Sequence, residues 1–209
     1  MMSQVFVSGH KSPDTDSIAA ALSYSYLKRR LGMDAVAVRA GEINKESRFA
    51  LDYFNLEEPI LVTSVERKNP EDEKQKVILV DHNESKQTID GMDDAEVPEI
   101  IDHHRFGDFE SENPIFILVR PVGCVNTVIY GLYKTNHIKP SREIAGIMLS
   151  AIISDTVLFR SPTTTEEDKE TAKELAEIAG VDYEAYGMEM LKASADISDY
   201  PAEKLARND

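Results

Sequence analysis

The sequence predicts an α/β fold: a doubly wound, mostly parallel sheet of five to six strands with helices on both faces. Three observations carry that reading. Short all-apolar runs of β-formers alternate with helical stretches along the 209 residues, the pattern of βαβ units. The first strand, helix and strand fit into about 35 residues, the length of one right-handed βαβ unit. Three apolar runs end abruptly in His or Asp, which puts ionisable groups at the carboxyl ends of strands, where open parallel sheets hold their ligands.

In chain order, Val5-Phe6-Val7 reads as a strand buried on both faces and stops at Ser8-Gly9. Ile18, Leu22, Tyr26 and Leu27 fall at helical spacing, and Gly32 can take the left-handed cap after Leu31. Ala35-Val36-Ala37-Val38 gives a second strand. Residues 44–54 read as a helix with Phe49 and Tyr53 on one face, and Ile60-Leu61-Val62 as a third strand. The charge-rich stretch 66–76, with Asn69-Pro70 inside it, reads as a solvated loop. Val77-Ile78-Leu79-Val80 runs straight into Asp81-His82-Asn83, and Glu99-Ile100-Ile101 into Asp102-His103-His104. Ile115-Phe116-Ile117-Leu118-Val119 reads as another buried strand. Val122-Gly123-Cys124-Val125-Asn126-Thr127 leads into a helix carrying Val128, Leu132 and Tyr133. Pro140 precedes a helix over 141–154 that Asp155 closes. An acidic-headed helix opens at Thr164 and ends at Gly180, and a last one covers about 183–193.

Composition narrows the class. Hydrophobic residues are 42% and charged residues 29% of the chain, as in a folded globular protein and unlike a disordered one. The length allows one large domain. Thirty-eight acidic against 23 basic residues leave a net charge of −15. That field repels nucleic acid and anionic membranes unless bound cations intervene. Cys124 is the single cysteine, which excludes an internal disulfide and fits a reducing compartment. No apolar run approaches the roughly 20 residues that cross a bilayer, and no leader pattern is visible. A soluble, cytoplasmic protein is expected.

His10-Lys11-Ser12-Pro13-Asp14-Thr15-Asp16-Ser17 leaves the first strand and enters the first helix. Pro13 fixes its own φ and biases Ser12 away from helix. Two readings stand for this stretch alone: an Asp-rich helix cap beside an incidental His, or a turn whose side chains converge on a cation. Two further strands end in Asp81 and in Asp102-His103-His104. Three strands thus deliver Asp or His to one sheet edge, which favours the metal reading.

With Asp155 added, this set resembles the DHH phosphoesterase superfamily, and within it the family II inorganic pyrophosphatases. The residues that carry the likeness run from Gly9-His10-Lys11-Ser12-Pro13-Asp14-Thr15-Asp16 through Val80-Asp81-His82-Asn83-Glu84 to Ile101-Asp102-His103-His104-Arg105. Arg120-Pro121-Val122-Gly123-Cys124 and Met148-Leu149-Ser150-Ala151-Ile152-Ile153-Ser154-Asp155 agree as well. The resemblance implies a DHH fold and hydrolysis of pyrophosphate by a dinuclear site with a metal-bridging hydroxide. It implies His10 and Asp14 on one metal, Asp16, His103 and Asp155 on the other, and Asp81 bridging both. His104 would face substrate as hydrogen-bond donor or general acid. Imidazole and carboxylate ligands without thiolate suit two Mn²⁺ or Co²⁺ ions, with Mg²⁺ arriving on the substrate. The resemblance also implies a homodimer through this domain.

Some neighbours get smaller parts. In an extended segment adjacent side chains point to opposite sides, so His103 and His104 are expected on different sides. Asp102 and His82 are read as supports, His137 as a surface residue and Cys124 as a small buried filler. Lys11 and Arg105 read equally as positive potential or as solvated residues.

The family's second domain, with its Ser-Arg-Lys-Lys type cationic cluster, has no counterpart in the sequence. The expected division is therefore a catalytic domain over 1–190 and the start of a linker over 191–209, with the substrate-gripping domain absent. Metal binding with low or no turnover follows from that expectation. Two alternatives remain. One is another DHH phosphoesterase, acting on polyphosphate or oligonucleotides, against which the charge and the lack of an aromatic-plus-basic strip argue. The other is a non-catalytic metal-binding or dimerisation module.

Overall fold

The structure, a computed structural model, describes residues 4–195. The chain lays down β1 (Val5–Ser8), α1 (Thr15–Arg30), β2 (Ala35–Arg39), α2 (Lys45–Tyr53), β3 (Ile60–Leu61) and β4 (Gln75–Val80). There follow β5 (Ala95–Glu96), β6 (Glu99–Asp102), β7 (Phe116–Val119), α3 (Val125–Thr135), α4 (Arg142–Thr156), α5 (Glu166–Ala179) and α6 (Tyr183–Ala195). The expected linker start at 191 falls inside α6, and residues 196–209 of that expected linker lie outside the described residues.

All strand pairs among the described residues are parallel, in the order β3-β2-β1-β4-β6-β7. Lys76 of β4 pairs with Val5 on one side and with Glu96 of β5 on the other, so β5 shares a lane with β6. Pro98 breaks that lane, since it has no N–H to give to the ladder. The order runs outward from β1 in one direction and from β4 in the other. The chain therefore reverses direction between β1 and β4, and that is where an open α/β sheet has its crevice.

Alternation along the strands splits the core in two. Val5, Val7, Ala35, Ala37, Ile78, Val80 and Ile101 pack under the α-helices. Val38, Val77, Leu79 and Ile100 pack with Val65 and Ile89 on the other face. That second face is covered by the connections around Val65 and by two single-turn 3₁₀ helices, Ser85–Gln87 and Met92–Asp94, rather than by α-helices. The fold class is the expected one, with lopsided coverage. Right-handed crossovers laid in opposite directions cover opposite faces, and the connections leaving β4 and β6 hold only 3₁₀ turns, the short β5 and loops, so their face has no α-helix.

The helix signals in the sequence are used. Asp14, Asn44 and Ser141 cap α1, α2 and α4 through their side chains, and Thr165 with Asp168 forms a capping box on α5. Gly146 lets α4 close on α2, since a Cβ there would meet the Phe54 ring at 2.2 Å. The strand expected to be buried over 115–119 differs. Phe116 and Ile117 of β7 are 50% and 42% exposed, because β7 is the last lane and has a neighbour on one side only. After α4 the backbone reverses hand: Val157, Leu158 and Phe159 have φ of 48°, 52° and 65°.

Candidate metal centre

The rim of the sheet at the β1–β4 crevice gathers the side chains singled out in the sequence. β1 ends one residue short of Gly9-His10, and α1 begins with Asp14 as its cap and Asp16 in its first turn. β4 ends at Val80, directly before Asp81, and β6 ends at Asp102 ahead of His103 and His104. Asp155 comes from the last turn of α4, where the helix dipole disfavours a carboxylate. A carboxylate held against its local field needs another reason to be there.

The distances are short. His10 Nε2 lies 3.6 Å from Asp14 Oδ2 and 3.5 Å from Asp81 Oδ2. His103 Nε2 lies 3.3 Å from Asp81 Oδ1 and 3.6 Å from Asp16 Oδ2. Three groups have ligand atoms within 4.8 Å of one another: His10-Asp14-Asp81, Asp16-His103-Asp155 and Asp81-His103-His104. Asp81 belongs to two of them. It is buried, sits at φ 64°, and its Oδ1 accepts no hydrogen bond among the described residues. A non-glycine residue in the left-handed region carries strain, tolerated best by Asp and Asn and concentrated at functional sites.

Electrostatics give the same picture. Burial pushes the Asp81 carboxyl up, and the Asp16 charge pushes it further. Burial and then Asp16, Asp14 and Asp81 push Asp155 well above the usual carboxylate range. Burial alone lowers His103, but the Asp81 carboxylate 3.3 Å from its Nε2 and the charge of Asp16 outweigh it and carry the imidazole up to about 10. Protons thus fill in for missing positive charge among crowded acids. The residues fit divalent cations: hard carboxylate oxygens and imidazole nitrogens, an orphaned buried oxygen on Asp81, and an excess of negative charge.

The supporting contacts include several the sequence did not signal. Ser17 Oγ donates to Asp81 Oδ2 at 2.6 Å and accepts from His10 N–H at 3.3 Å. Gly9 makes room for it, since a Cβ there would stand 2.6 Å from Ser17 Cβ. His103 Nδ1 faces the Val122 carbonyl at 3.0 Å, which fixes the ring and turns Nε2 toward the carboxylates. Glu46 of α2 accepts from Thr15 at 2.7 Å and also from Ser154, tying α1 to the end of α4. Cys124 is buried as expected and also donates from Sγ to Asp16 Oδ1 at 2.9 Å.

One expectation fails. His103 and His104 were placed on opposite sides, yet their rings stand 4.2 Å apart and share a group with Asp81. The strand ends at Asp102, and Asp102 Oδ1 accepts from the N–H of both His103 and His104, at 2.7 Å and 3.2 Å. Such a turn replaces the pleat, so alternation no longer applies. The same oxygen faces His104 Nδ1 at 2.9 Å. Burial raises the Asp102 carboxyl, but bonds from His104 and Asn83 hold it below the usual range. His82 is buried, and burial lowers its imidazole to about 4. His137 is exposed.

Positions 4–152 match the DHH family, N-terminal domain. A "probable manganese-dependent inorganic pyrophosphatase" of Exiguobacterium is 53% identical over 204 residues, 98% of this chain and 64% of that protein. A protein of the same name from Bacillus licheniformis is 54% identical over 94% of this chain and 62% of its own length. The chain thus spans less than two thirds of these curated relatives. The crystal structure of a Methanococcus jannaschii "putative family II inorganic pyrophosphatase" matches with TM-score 0.82 and 44% identity, over 91% of this chain and 61% of that one. An exopolyphosphatase-related protein of Bacteroides fragilis shares the fold at TM-score 0.65 and 18% identity, over 98% of this chain and 59% of that one.

Proposed function

From the premise that the chain belongs to the DHH family, N-terminal domain, we propose that it is the metal-holding part of a manganese-dependent inorganic pyrophosphatase. One observation carries the reading: two imidazole–carboxylate groups meet at a single buried carboxylate, Asp81, beside the β1–β4 crevice. His10 and Asp14 would hold one cation and Asp16, His103 and Asp155 the other, with Asp81, which lies 3.5 Å from His10 and 3.3 Å from His103, available to both. Cobalt is the alternative metal, by donor chemistry. The relatives' names support manganese and pyrophosphate.

Bound there, two divalent cations supply Lewis-acid polarisation of phosphoryl oxygens and ease the ionisation of water. The chain's own residues do the rest. Asp14, Asp16, Asp81 and Asp155 balance the charge of such a pair and leave room for an anion. Asp102 holds His104 at Nδ1, so Nε2 faces outward from a side chain that is 54% exposed. The Asp102 bond, opposed by burial, also raises the His104 imidazole. A protonated Nε2 therefore donates to the bridging or leaving oxygen of pyrophosphate. Mg²⁺ on the substrate neutralises its remaining oxygens.

Lys11 and Arg105 flank the ligand motifs, but each is paired with a carboxylate, Asp90 and Glu84. We therefore assign 1–190 to metal holding and expect slow turnover from this chain alone. The open, apolar edge of β7 is the surface we assign to a homodimer. The net charge argues against nucleic acid as a partner. No described helix is long and apolar enough to cross a membrane, and the single buried cysteine fits the cytoplasm.

The test is a titration of the chelator-treated chain with MnCl₂ by calorimetry, followed by phosphate release from magnesium pyrophosphate. Two Mn²⁺ per chain are expected, with pyrophosphate preferred over long polyphosphate and over a dinucleotide. Fewer than one bound ion, or stoichiometry unchanged in Asp81→Ala, sinks the reading.

A further inference from the structure

Asp16 is held by the start of a different helix. Its Oδ1 accepts from Asn126 Nδ2 at 2.6 Å, from Cys124 Sγ at 2.9 Å and from the Asn126 N–H at 3.4 Å. Its Oδ2 accepts from the Val125 N–H at 2.8 Å and faces His103 Nε2. Asp16 and Asn126 are fully buried. The Asn126 amide is itself oriented, because Ser23 Oγ donates to its Oδ1 at 2.8 Å and Ser23 is buried too. With the amide oxygen occupied by Ser23, the amide nitrogen is committed to Asp16.

We infer that Asn126 is a positioning residue that sets the metal preference of the centre by making Asp16 a ligand through one oxygen only. The inference rests on the two-cation reading above. Three donors occupy Oδ1, so only Oδ2 points at His103 and the cleft. A carboxylate restricted in this way suits Mn²⁺ or Mg²⁺. Ca²⁺ is larger and gains from six to eight oxygen ligands, including both oxygens of one carboxylate. Loss of the Asn126 amide removes the shortest of the three bonds to Oδ1, leaves only Cys124 Sγ and the N–H of residue 126 on it, and so loosens the orientation of Asp16. It weakens the Asp16-His103-Asp155 cation and lets Ca²⁺ compete. Outer partners of metal ligands are worth about 10–100-fold in affinity.

The experiment is stepwise calorimetric titration of the full chain and of Asn126→Ala, with Mn²⁺ and with Ca²⁺. Asp155→Asn, measured alongside, marks which binding step belongs to the Asp16-His103-Asp155 cation. That step is expected to weaken about 10–100-fold for Mn²⁺ in Asn126→Ala, with the other step nearly unchanged. The Mn²⁺ to Ca²⁺ affinity ratio at that step falls as well. A purely structural asparagine predicts equal weakening of both steps at a constant ratio, and either that or no change overturns the inference. If Asn126→Ala does not fold, Ser23→Ala frees the amide without touching Asp16. It must show the same step-selective loss in smaller measure, and equal or absent losses in it are equally fatal. A wild-type chain that does not take up two ions refutes the two-cation reading itself, before any variant is compared.

Discussion

α1 and β6 each carry an acid assembly at both ends, and the two assemblies are built on opposite principles. At the start of β6, Glu99 accepts from Tyr24 at 2.5 Å and from Lys28 at 2.6 Å, both on α1, with Glu99 and Lys28 13% and 14% exposed. Acid, base and hydroxyl there satisfy one another. At the other end of the same two elements, the α1 cap Asp14 and Asp16 of its first turn meet Asp81 and Asp155, and among the described residues imidazoles are the cationic groups within reach. An orphaned oxygen is left on Asp81. A structural acid brings its partner from within the chain. An acid reserved for an external cation is denied one, and the fold tolerates the strain.

The sharpest way to break this contrast is Asp81→Asn. It removes the shared ligand while Asn still fits a left-handed backbone. Mn²⁺ affinity is expected to fall by more than about 100-fold, since a lost ligand exceeds the cost of a lost outer partner. The unfolding midpoint of the metal-free chain should rise as crowded charge is relieved. Calorimetry and urea unfolding read the two effects separately. A metal-free midpoint that falls would show that Asp81 is structural after all.

At the other end, Glu99→Gln is expected to cost about 2–3 kcal/mol, below the full penalty for breaking a buried pair because both partners keep some solvent contact. Urea midpoints measure it, and Mn²⁺ affinity should stay within experimental scatter. Any step-specific loss of Mn²⁺ there would mean that the two ends communicate through α1. Tyr24→Phe is the smallest change. It removes one hydroxyl bond to a charged group at a cost of about 1.5 kcal/mol, again without effect on metal binding.

How much of this was legible in the sequence follows from how locally each feature is encoded. Strands running into His10, Asp81 and Asp102 are local signals, so the rim and its ligands stood out. Asp155 came from the family likeness, because a carboxylate closing a helix has no local signature. Ser17, Asn126 and Glu46 stayed silent. Their partners Asp81, Asp16 and Ser154 lie 64, 110 and 108 positions away, and a serine or asparagine in a helix's first turn reads as a cap. The His104 orientation was misread because one side chain, that of Asp102, overrides the pleat. The exposure of β7 depends on lane order, which apolar runs do not disclose.

The reversal of hand at Val157–Leu158–Phe159 has a bearing on Asp155. Helix ends ordinarily fray by a residue or two, and a ligand borne on the last turn would wander with them. L-residues cannot extend a right-handed spiral through three left-handed positions, and each such position costs roughly 1–2 kcal/mol to hold. α4 is therefore stopped rather than merely finished, and the height of its terminal carboxylate above the rim is fixed as by a bolt.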